Sequence, residues 1–199
     1  MSEPVSFANC RSPTSKGAAR MATSTSTVEL GNTAAYQDKL IGQLNGRDPI
    51  EVLGKTPDAM DRFVADNDAA TMRARPFPGK WTPLEIIGHL IDAEYLFAYR
   101  VRLILCENSP VIQSMDQELW VTGQRYNDRD PVELAADFRA LRKINVGLWR
   151  RMRPEDLKKF GRHAERGDES LQTMLLMHAG HDLSHIDQIT RYLAATRER

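Results

Sequence analysis

Helix-start signals constrain the fold of this chain more than any other feature of its sequence. The run Thr82-Pro83-Leu84-Glu85 combines an N-cap hydroxyl, a proline at the first helical position and a glutamate that can reach back to the cap. Ser170 is placed to cap a last long helix. Related signals occur at Asp48-Pro49-Ile50-Glu51, at Asp130-Pro131-Val132-Glu133 and, without the acid, at Thr56-Pro57-Asp58. Because no segment alternates polar and apolar residues over more than a few positions, the sequence predicts no strand.

The helix-start signals predict four long helices. Three run over about residues 82–107, 131–151 and 170–196, and an N-terminal one is broken into about 33–45 and 48–66. At 1.5 Å per residue, a helix of about 26 residues is about 39 Å long, which is typical of a bundle. Four such helices bury their apolar stripes best against one another. The sequence therefore predicts an all-α fold, a four-helix bundle, with one further helical turn near 116–121 and a short helix after Pro154.

The length of 199 residues fits a single folded domain, predicted over residues 33–199. Residues 1–32, rich in Ser, Thr and Ala, predict a disordered leader, and Met21 is an alternative start. Lys and Arg number 27 and so do Asp and Glu, with no basic block, which predicts no nucleic-acid partner. No apolar run approaches the roughly 18 residues of a membrane span. The two cysteines form no CxxC pair, so the predicted location is a reducing cytoplasm.

Three of the five histidines fall in one stretch of the last helix, MHAGHDLSHIDQI. On a helical wheel, His178, His181 and His185 lie in or beside the apolar arc, within roughly 60° of one another, together with Asp182. A buried polar side chain without a partner costs on the order of 1–3 kcal/mol. Four polar residues on one core face therefore indicate a common partner, and a metal ion is one that would suit them.

The spacing of His181 and His185 fits a metal site. Residues at i and i+4 have Cβ atoms about 5–6 Å apart, so two imidazoles can bind one cation at about 2.0–2.1 Å. The predicted third ligand is His89, in WTPLEIIGHLIDAEY, at the margin of the apolar arc of its own helix. Three neutral imidazoles with an open coordination position are typical of a catalytic metal site.

Carboxylates near these histidines are candidate partners of the site. Asp92, Glu85 and Asp182 could accept hydrogen bonds from ring N–H groups, or one of them could act as a general base. Asp182 and Asp92 are the predicted catalytic residues. His163 lies in a predicted loop and is expected at the surface. For any one of these histidines taken alone, the ordinary interpretation is a core residue whose ring is hydrogen-bonded to a backbone carbonyl.

Two other kinds of metal protein fit the sequence less well. The zincin motif HExxH becomes HDLSH, in which Asp182 replaces the glutamate with a side chain one methylene shorter, and no downstream glutamate ligand is evident. This pattern disfavours a metalloprotease. A di-iron carboxylate bundle needs two ExxH motifs and two further glutamates, whereas this chain has only Asp182-x-x-His185.

The order of these segments resembles the DinB superfamily, which includes YfiT-like metal-dependent hydrolases and bacillithiol and mycothiol S-transferases. The resemblance covers most of residues 35–197 and includes GRDPIEVLGKTPDAM, PGKWTPLEIIGHL, GHLIDAE, MDQELW and HDLSHIDQI. It implies a four-helix bundle, commonly dimeric, with zinc or nickel held by one histidine of the second helix and two of the fourth. In this sequence those ligands would be His89, His181 and His185.

The resemblance also implies an activity. In such a protein the metal activates a low-molecular-weight thiol, or water, for S-transfer to or hydrolysis of a small molecule, and the protein forms a homodimer. Cys10 and Cys106 are not placed as nucleophiles, which fits an external thiol or a metal-bound water. The alternatives are a non-catalytic metal-binding or stress-response bundle protein and an interaction module without a metal.

Overall fold

The computed structural model describes residues 30–198, with side chains described from residue 35 onward. The predicted leader over 1–32 lies outside the described residues, except for its last three, which begin the first helix. The elements, in chain order, are α1 Leu30–Gly42, α2 Pro49–Ala65, α3 Ala69–Met72, α4 Pro83–Cys106, β1 Val111–Ile112, α5 Gln117–Gln124, a 3₁₀ turn Tyr126–Asp128, α6 Pro131–Trp149, a 3₁₀ turn Asp156–Lys158, β2 Phe160–His163, β3 Gly167–Ser170 and α7 Leu171–Arg197.

Helices α2, α4, α6 and α7 form the bundle. Both α2 and α4 pack against α6 and α7, and α1 lies against the outside of α7. The predicted all-α four-helix bundle is therefore confirmed, with α2 as its fourth helix. The buried side chains form two apolar clusters, one around Leu90, Phe138 and Ile189 and the other around Leu53 and Met174.

Most of the predicted helix-start signals begin a helix. At α4, the hydroxyl of Thr82 accepts from the amide of Glu85 while the Glu85 carboxylate accepts from the amide of Thr82, which forms a complete capping box. Asp48, Asp130 and Ser170 cap α2, α6 and α7 in the same way with their side-chain oxygens. These hydrogen bonds satisfy amides that have no partner within the helix.

The signal at Thr56-Pro57 does not begin a helix, which corrects the prediction. Pro57 lies inside α2 and, having no N–H, leaves the carbonyl of Leu53 without its helical donor. The guanidinium of Arg142 donates to that carbonyl instead, at 3.0 Å, and the Thr56 hydroxyl donates to the carbonyl of Val52. The helix continues through the proline because a side chain of α6 replaces the missing hydrogen bond.

A small sheet covers one end of the bundle, although the sequence predicts no strand. Strand β1 pairs in parallel with β2, and β2 pairs antiparallel with β3 through a turn in which Gly167 has φ +74°. The strands have only two to four residues, too few for an alternating pattern to be visible. Gly161 fits because a Cβ there would lie 2.8 Å from a methyl carbon of Ile112. Within residues 30–198, no helix has both the length and the apolar character needed to cross a bilayer.

Candidate metal centre

The three predicted ligand histidines meet between α4 and α7. The Nε2 atom of His89 lies 3.0 Å from that of His181, which in turn lies 3.1 Å from that of His185. One ring nitrogen of each residue can be chosen so that all three lie within 4.8 Å of one another. The two helices therefore bring together residues that are 92 positions apart in the sequence.

A hydrogen bond fixes how the His185 ring presents its nitrogens. Its Nδ1 lies 2.9 Å from Oε1 of Gln188, and the amide nitrogen of Gln188 donates to the hydroxyl of Tyr192. Since the amide oxygen of Gln188 can only accept, Nδ1 of His185 carries the hydrogen and Nε2 keeps its lone pair. The second nitrogen of this imidazole is thereby directed towards the other two rings as an acceptor.

Burial keeps the three rings neutral. It lowers the pKa of His89 to about 3, helped by the nearby His185 ring. Burial also lowers the pKa of His181 well below its usual value, with further contributions from the neighbouring histidines, and lowers that of His185. Neutral imidazole is the form that binds metal ions.

The protein alone does not satisfy this cluster. Nδ1 of His89 and Nδ1 of His181 are buried and have no hydrogen-bond partner among residues 35–198. The Nε2 atom of His181 faces two other Nε2 atoms, and one hydrogen on it could bridge to only one of them. A divalent cation would accept the lone pairs of all three rings, and imidazole suits zinc and nickel. The donor set therefore fits a metal ion.

A cleft lined by polar side chains gives access to the cluster from two sides. A cavity of about 270 Å³ opens beside His181 and His185, and a second of about 150 Å³ lies beside His89 and His181. Trp81 covers His89 with its ring centroid 4.8 Å away and donates from its indole nitrogen to Glu118 of α5. The cluster thus lies below the surface with room for a small molecule next to it.

Asp182, a predicted catalytic residue, lies in a buried ionic network behind the cluster. Its Oδ2 accepts from Nη1 of Arg142 at 2.5 Å, and Arg142 also donates to Glu94 at 2.8 Å. Burial raises the pKa of Glu94, but the charges and hydrogen bonds of Arg142 and His178 together outweigh burial and hold that pKa well below its usual range. Asp182 makes no hydrogen bond to the three histidines of the cluster, although its charge partly opposes the fall in the pKa of His185 that burial causes.

Asp92, the other predicted catalytic residue, is bound by the last residue of α5 and by the 3₁₀ turn that follows it. Its Oδ1 accepts from the hydroxyl of Tyr126 at 2.6 Å and from the amide of Gln124 at 2.5 Å. Burial raises the pKa of this carboxyl, while these two hydrogen bonds oppose the rise. Glu85 is occupied by the capping box and by Arg75. None of the three predicted carboxylates therefore accepts a hydrogen bond from the ring cluster in the described part of the chain.

Comparison with known proteins places this architecture in a family. The sequence model of the DinB superfamily matches residues 53–189, which contain all three histidines of the cluster. The chain belongs to the DinB superfamily.

Two similar proteins are each named as a "Putative metal-dependent hydrolase". One, from Oceanobacillus iheyensis, is 31% identical over 113 residues, which are 56% of this chain. The chain spans somewhat less than two thirds of that relative, 64%. Another, from Bacillus mycoides, is 25% identical over 151 residues, which are 75% of this chain and 84% of the relative.

A solved structure has the same fold. YfiT from Bacillus subtilis, described as a probable metal-dependent hydrolase with an unusual four-helix bundle topology, aligns with a TM-score of 0.68 at 20% identity. The alignment covers 86% of this chain and 91% of YfiT. At this identity the likeness supports the fold.

Two further histidines lie outside the cluster. His178 is buried, lies 2.7 Å from Glu94 and stacks on Phe97 at 4.1 Å, so it belongs to the Arg142 network. His163, expected at the surface, is instead buried in β2, which corrects that prediction. Burial, followed by repulsion from Arg166, lowers its pKa to about 4. The reason for the error is the sheet, which covers a residue that would be exposed in a loop.

Sequence reasoning missed Arg142 and Gln188 as parts of the site. Arg142 lies on the buried face of α6, one and two turns after Phe138 and Leu134. An arginine on the same face as these apolar residues indicates a buried ion pair, which the sequence could have predicted. Gln188, three residues after His185, could have been identified as a neighbour of that ring by helical spacing.

Proposed function

We propose that this DinB-superfamily protein is a metal-dependent enzyme that acts on a small molecule. His89, His181 and His185 would hold one divalent ion, zinc or nickel. The observation that carries the proposal is the convergence of three neutral imidazoles on one point beside an open cleft. The names of the relatives support the hydrolase half of the proposal.

A bound ion would supply a Lewis acid that lowers the pKa of a thiol or a water molecule and so provides a nucleophile near neutral pH. The residues of the chain have separate tasks. Gln188 orients the His185 ring, and Trp81 shields one side of His89 from water. Asp182 and Asp92, proposed from the sequence as catalytic, would act here by positioning: Asp182 holds a negative charge near the cluster, and Asp92 fixes the Tyr126 connector against α4.

Either of two reactions would use this arrangement. One is transfer of an external low-molecular-weight thiol to an electrophile, and the other is hydrolysis by activated water. The test compares untagged protein loaded with zinc, loaded with nickel, and stripped of metal. Each form is incubated with a thiol and monobromobimane, and separately with p-nitrophenyl acetate without a thiol. Metal-dependent thioether formation assigns S-transfer, and metal-dependent ester cleavage assigns hydrolysis.

A second candidate is a non-catalytic metal-binding bundle. It is favoured by one observation, that the three ligands join α4 to α7, so that an ion would cross-link the bundle. In that case removing the metal lowers the melting temperature strongly, while neither reaction is accelerated. His178→Gln is the matched control, because it removes a buried histidine of α7 outside the cluster.

Assembly and location are part of the proposal. We propose a homodimer in the cytoplasm with no nucleic-acid or membrane partner. Tyr95 and Tyr99, one turn apart on α4, are 58% and 57% exposed and offer an apolar surface for self-association. Light scattering on size-exclusion fractions tests the dimer, and Tyr95→Glu should shift the mass to that of one chain.

A further inference from the structure

Arg100 is a buried cation in the wall of the cleft. It follows His89 on α4 by three helical turns, and its side chain is only 3% exposed. Together with His89 and His181 it lines the cavity of about 150 Å³. The same small cavity therefore contains ligand histidines at one part of its wall and a guanidinium at another.

The protein does not neutralise this guanidinium with an ion pair. Nε and Nη2 of Arg100 both donate to the backbone carbonyl of Gln113, which carries no charge. No carboxylate in the described residues lies within 4.0 Å of it, whereas Arg142, which is buried more completely, pairs with two. A buried cation with no anionic partner is unfavourable, so arginines in such positions usually have one.

His163 does not supply the missing acceptor. Its Nε2 lies 3.5 Å from Nη2 of Arg100, but its Nδ1 accepts from the backbone amide of Glu165 at 3.2 Å. In a neutral imidazole only one nitrogen accepts, so Nε2 carries the hydrogen. Two donors therefore face each other across that contact.

The charges around Arg100 leave a positive excess in the buried region. Arg166 is held in a bidentate pair by Glu169, at 2.5 and 2.9 Å, so these two cancel. Glu165 also lines the cavity, but it is exposed to water and its carboxylate accepts from Ser114. Burial and then repulsion from Arg166 lower the pKa of Arg100 to about 10, while the more distant charges of Glu169 and Glu165 partly oppose that fall, so the guanidinium stays charged at neutral pH.

We propose that Arg100 binds an oxyanionic group, a carboxylate or a phosphate, on the substrate whose reacting end lies at the histidine cluster. This inference rests on the proposed function, because it concerns the same cleft. The Cα atoms of His89 and Arg100 are about 16 Å apart along the helix. Because His89 and Arg100 lie at different parts of the cavity wall, the reactive group and the anionic group would be at different ends of the ligand.

The first experiment tests the anion site without any metal. Hexanoate, hexyl phosphate and hexanol are titrated into metal-free protein, and binding is followed by calorimetry and by the ¹⁵N shift of arginine Nε. Hexanoate or hexyl phosphate should bind, and Arg100→Gln should weaken binding about tenfold or more, since charge-assisted hydrogen bonds are lost. Arg100→Lys should retain part of the affinity. Whichever anion binds more tightly identifies the oxyanion.

The matched control is Arg102→Gln, on the same helix. Arg102 donates to Ala98 and Asn145 and does not line this cavity, so its variant should bind the anions like the original protein. The proposal is overturned if hexanol binds as well as both anions, or if Arg100→Gln has no effect. If Arg100→Gln does not fold, two other measurements decide the proposal. They are the comparison of the anions with hexanol and the affinity of the Arg100→Lys variant for the anions.

The second experiment separates this inference from the proposed function. Zinc-loaded protein is titrated with 6-mercaptohexanoate and 6-mercaptohexanol. If both thiols bind zinc-loaded protein with equal affinity, the result supports the metal site and contradicts the anion site. If the metal-free protein binds the anions through Arg100 while zinc does not bind, the anion site stands and the proposed function fails. Tighter binding of 6-mercaptohexanoate that disappears in Arg100→Gln supports both.

Discussion

Gly180 of α7 lies directly against the backbone carbonyl of Leu40 in α1. A Cβ atom at position 180 would overlap the carbonyl oxygen of Leu40. The absence of a side chain there allows α1 to pack closely on α7, one residue before His181. Because Tyr36 and Leu40 line both cavities beside the histidines, this contact sets the width of the cleft.

Replacing this glycine should loosen α1. Gly180→Ala places a methyl group against backbone atoms that cannot rotate away, and we expect it to lower the free energy of unfolding by about 1–3 kcal/mol, a typical cost of overpacking. Urea denaturation measures the change. Gly123→Ala in α5 is the control, since a methyl group there would extend into open space and alanine favours a helix by about 1 kcal/mol. Equal effects of the two substitutions would contradict the close contact.

Removing Arg142, the cation at the centre of the buried ionic network, should greatly lower the free energy of unfolding. Arg142→Met leaves Glu94 and Asp182 buried without a cation, which should lower the free energy of unfolding by about 3–5 kcal/mol. Arg139→Met on the same helix removes an exposed pair with Asp58 and should cost at most about 1 kcal/mol. Denaturant titration distinguishes the two variants. A loss for Arg142→Met no larger than that of the control would show that the network contributes little.

The buried neutral His163 should make stability depend on pH. Its folded pKa, about 4, lies below the unfolded value of about 6.5, so the unfolded chain binds more protons between these values. The stabilisation is fully present above about pH 6.5 and is lost as the pH falls towards 4. In metal-free protein, His163→Gln should therefore have a shallower decline of the free energy of unfolding over this window. Identical pH profiles would mean that the His163 ring is not protected from protonation.

The orientation of the His185 ring should matter for metal affinity. Gln188→Leu removes the acceptor of its Nδ1 hydrogen, and loss of such a hydrogen bond typically weakens metal binding by about 10- to 100-fold. Competition with a chromophoric chelator measures the affinity. Gln172→Leu, at an exposed position of the same helix, should bind metal like the original protein. If the two variants have the same affinity, Gln188 does not orient the ring.

The helices could be predicted because proline and the capping side chains act locally. Thr82 and Asp130 begin their helices where the sequence indicates. The histidine cluster could be predicted because helical spacing places His181 and His185 on one face. The hydrogen-bond partners of the carboxylates could not, since they depend on tertiary contacts: Asp182 binds an arginine of α6 rather than a ring. The strands were missed because each has only two to four residues, and because β1 pairs with β2, which is distant in sequence.

His89, His181 and His185 are proposed to hold one divalent ion. The most direct test is elemental analysis of untagged protein, because a histidine tag would itself bind nickel or zinc. We predict about one zinc or nickel ion per chain, loss of the ion in His181→Ala, and its retention in His178→Gln, which keeps the cluster intact. Protein that contains no stoichiometric metal, even after incubation with zinc and nickel, or a His181→Ala variant that binds as much as the original, would contradict the account.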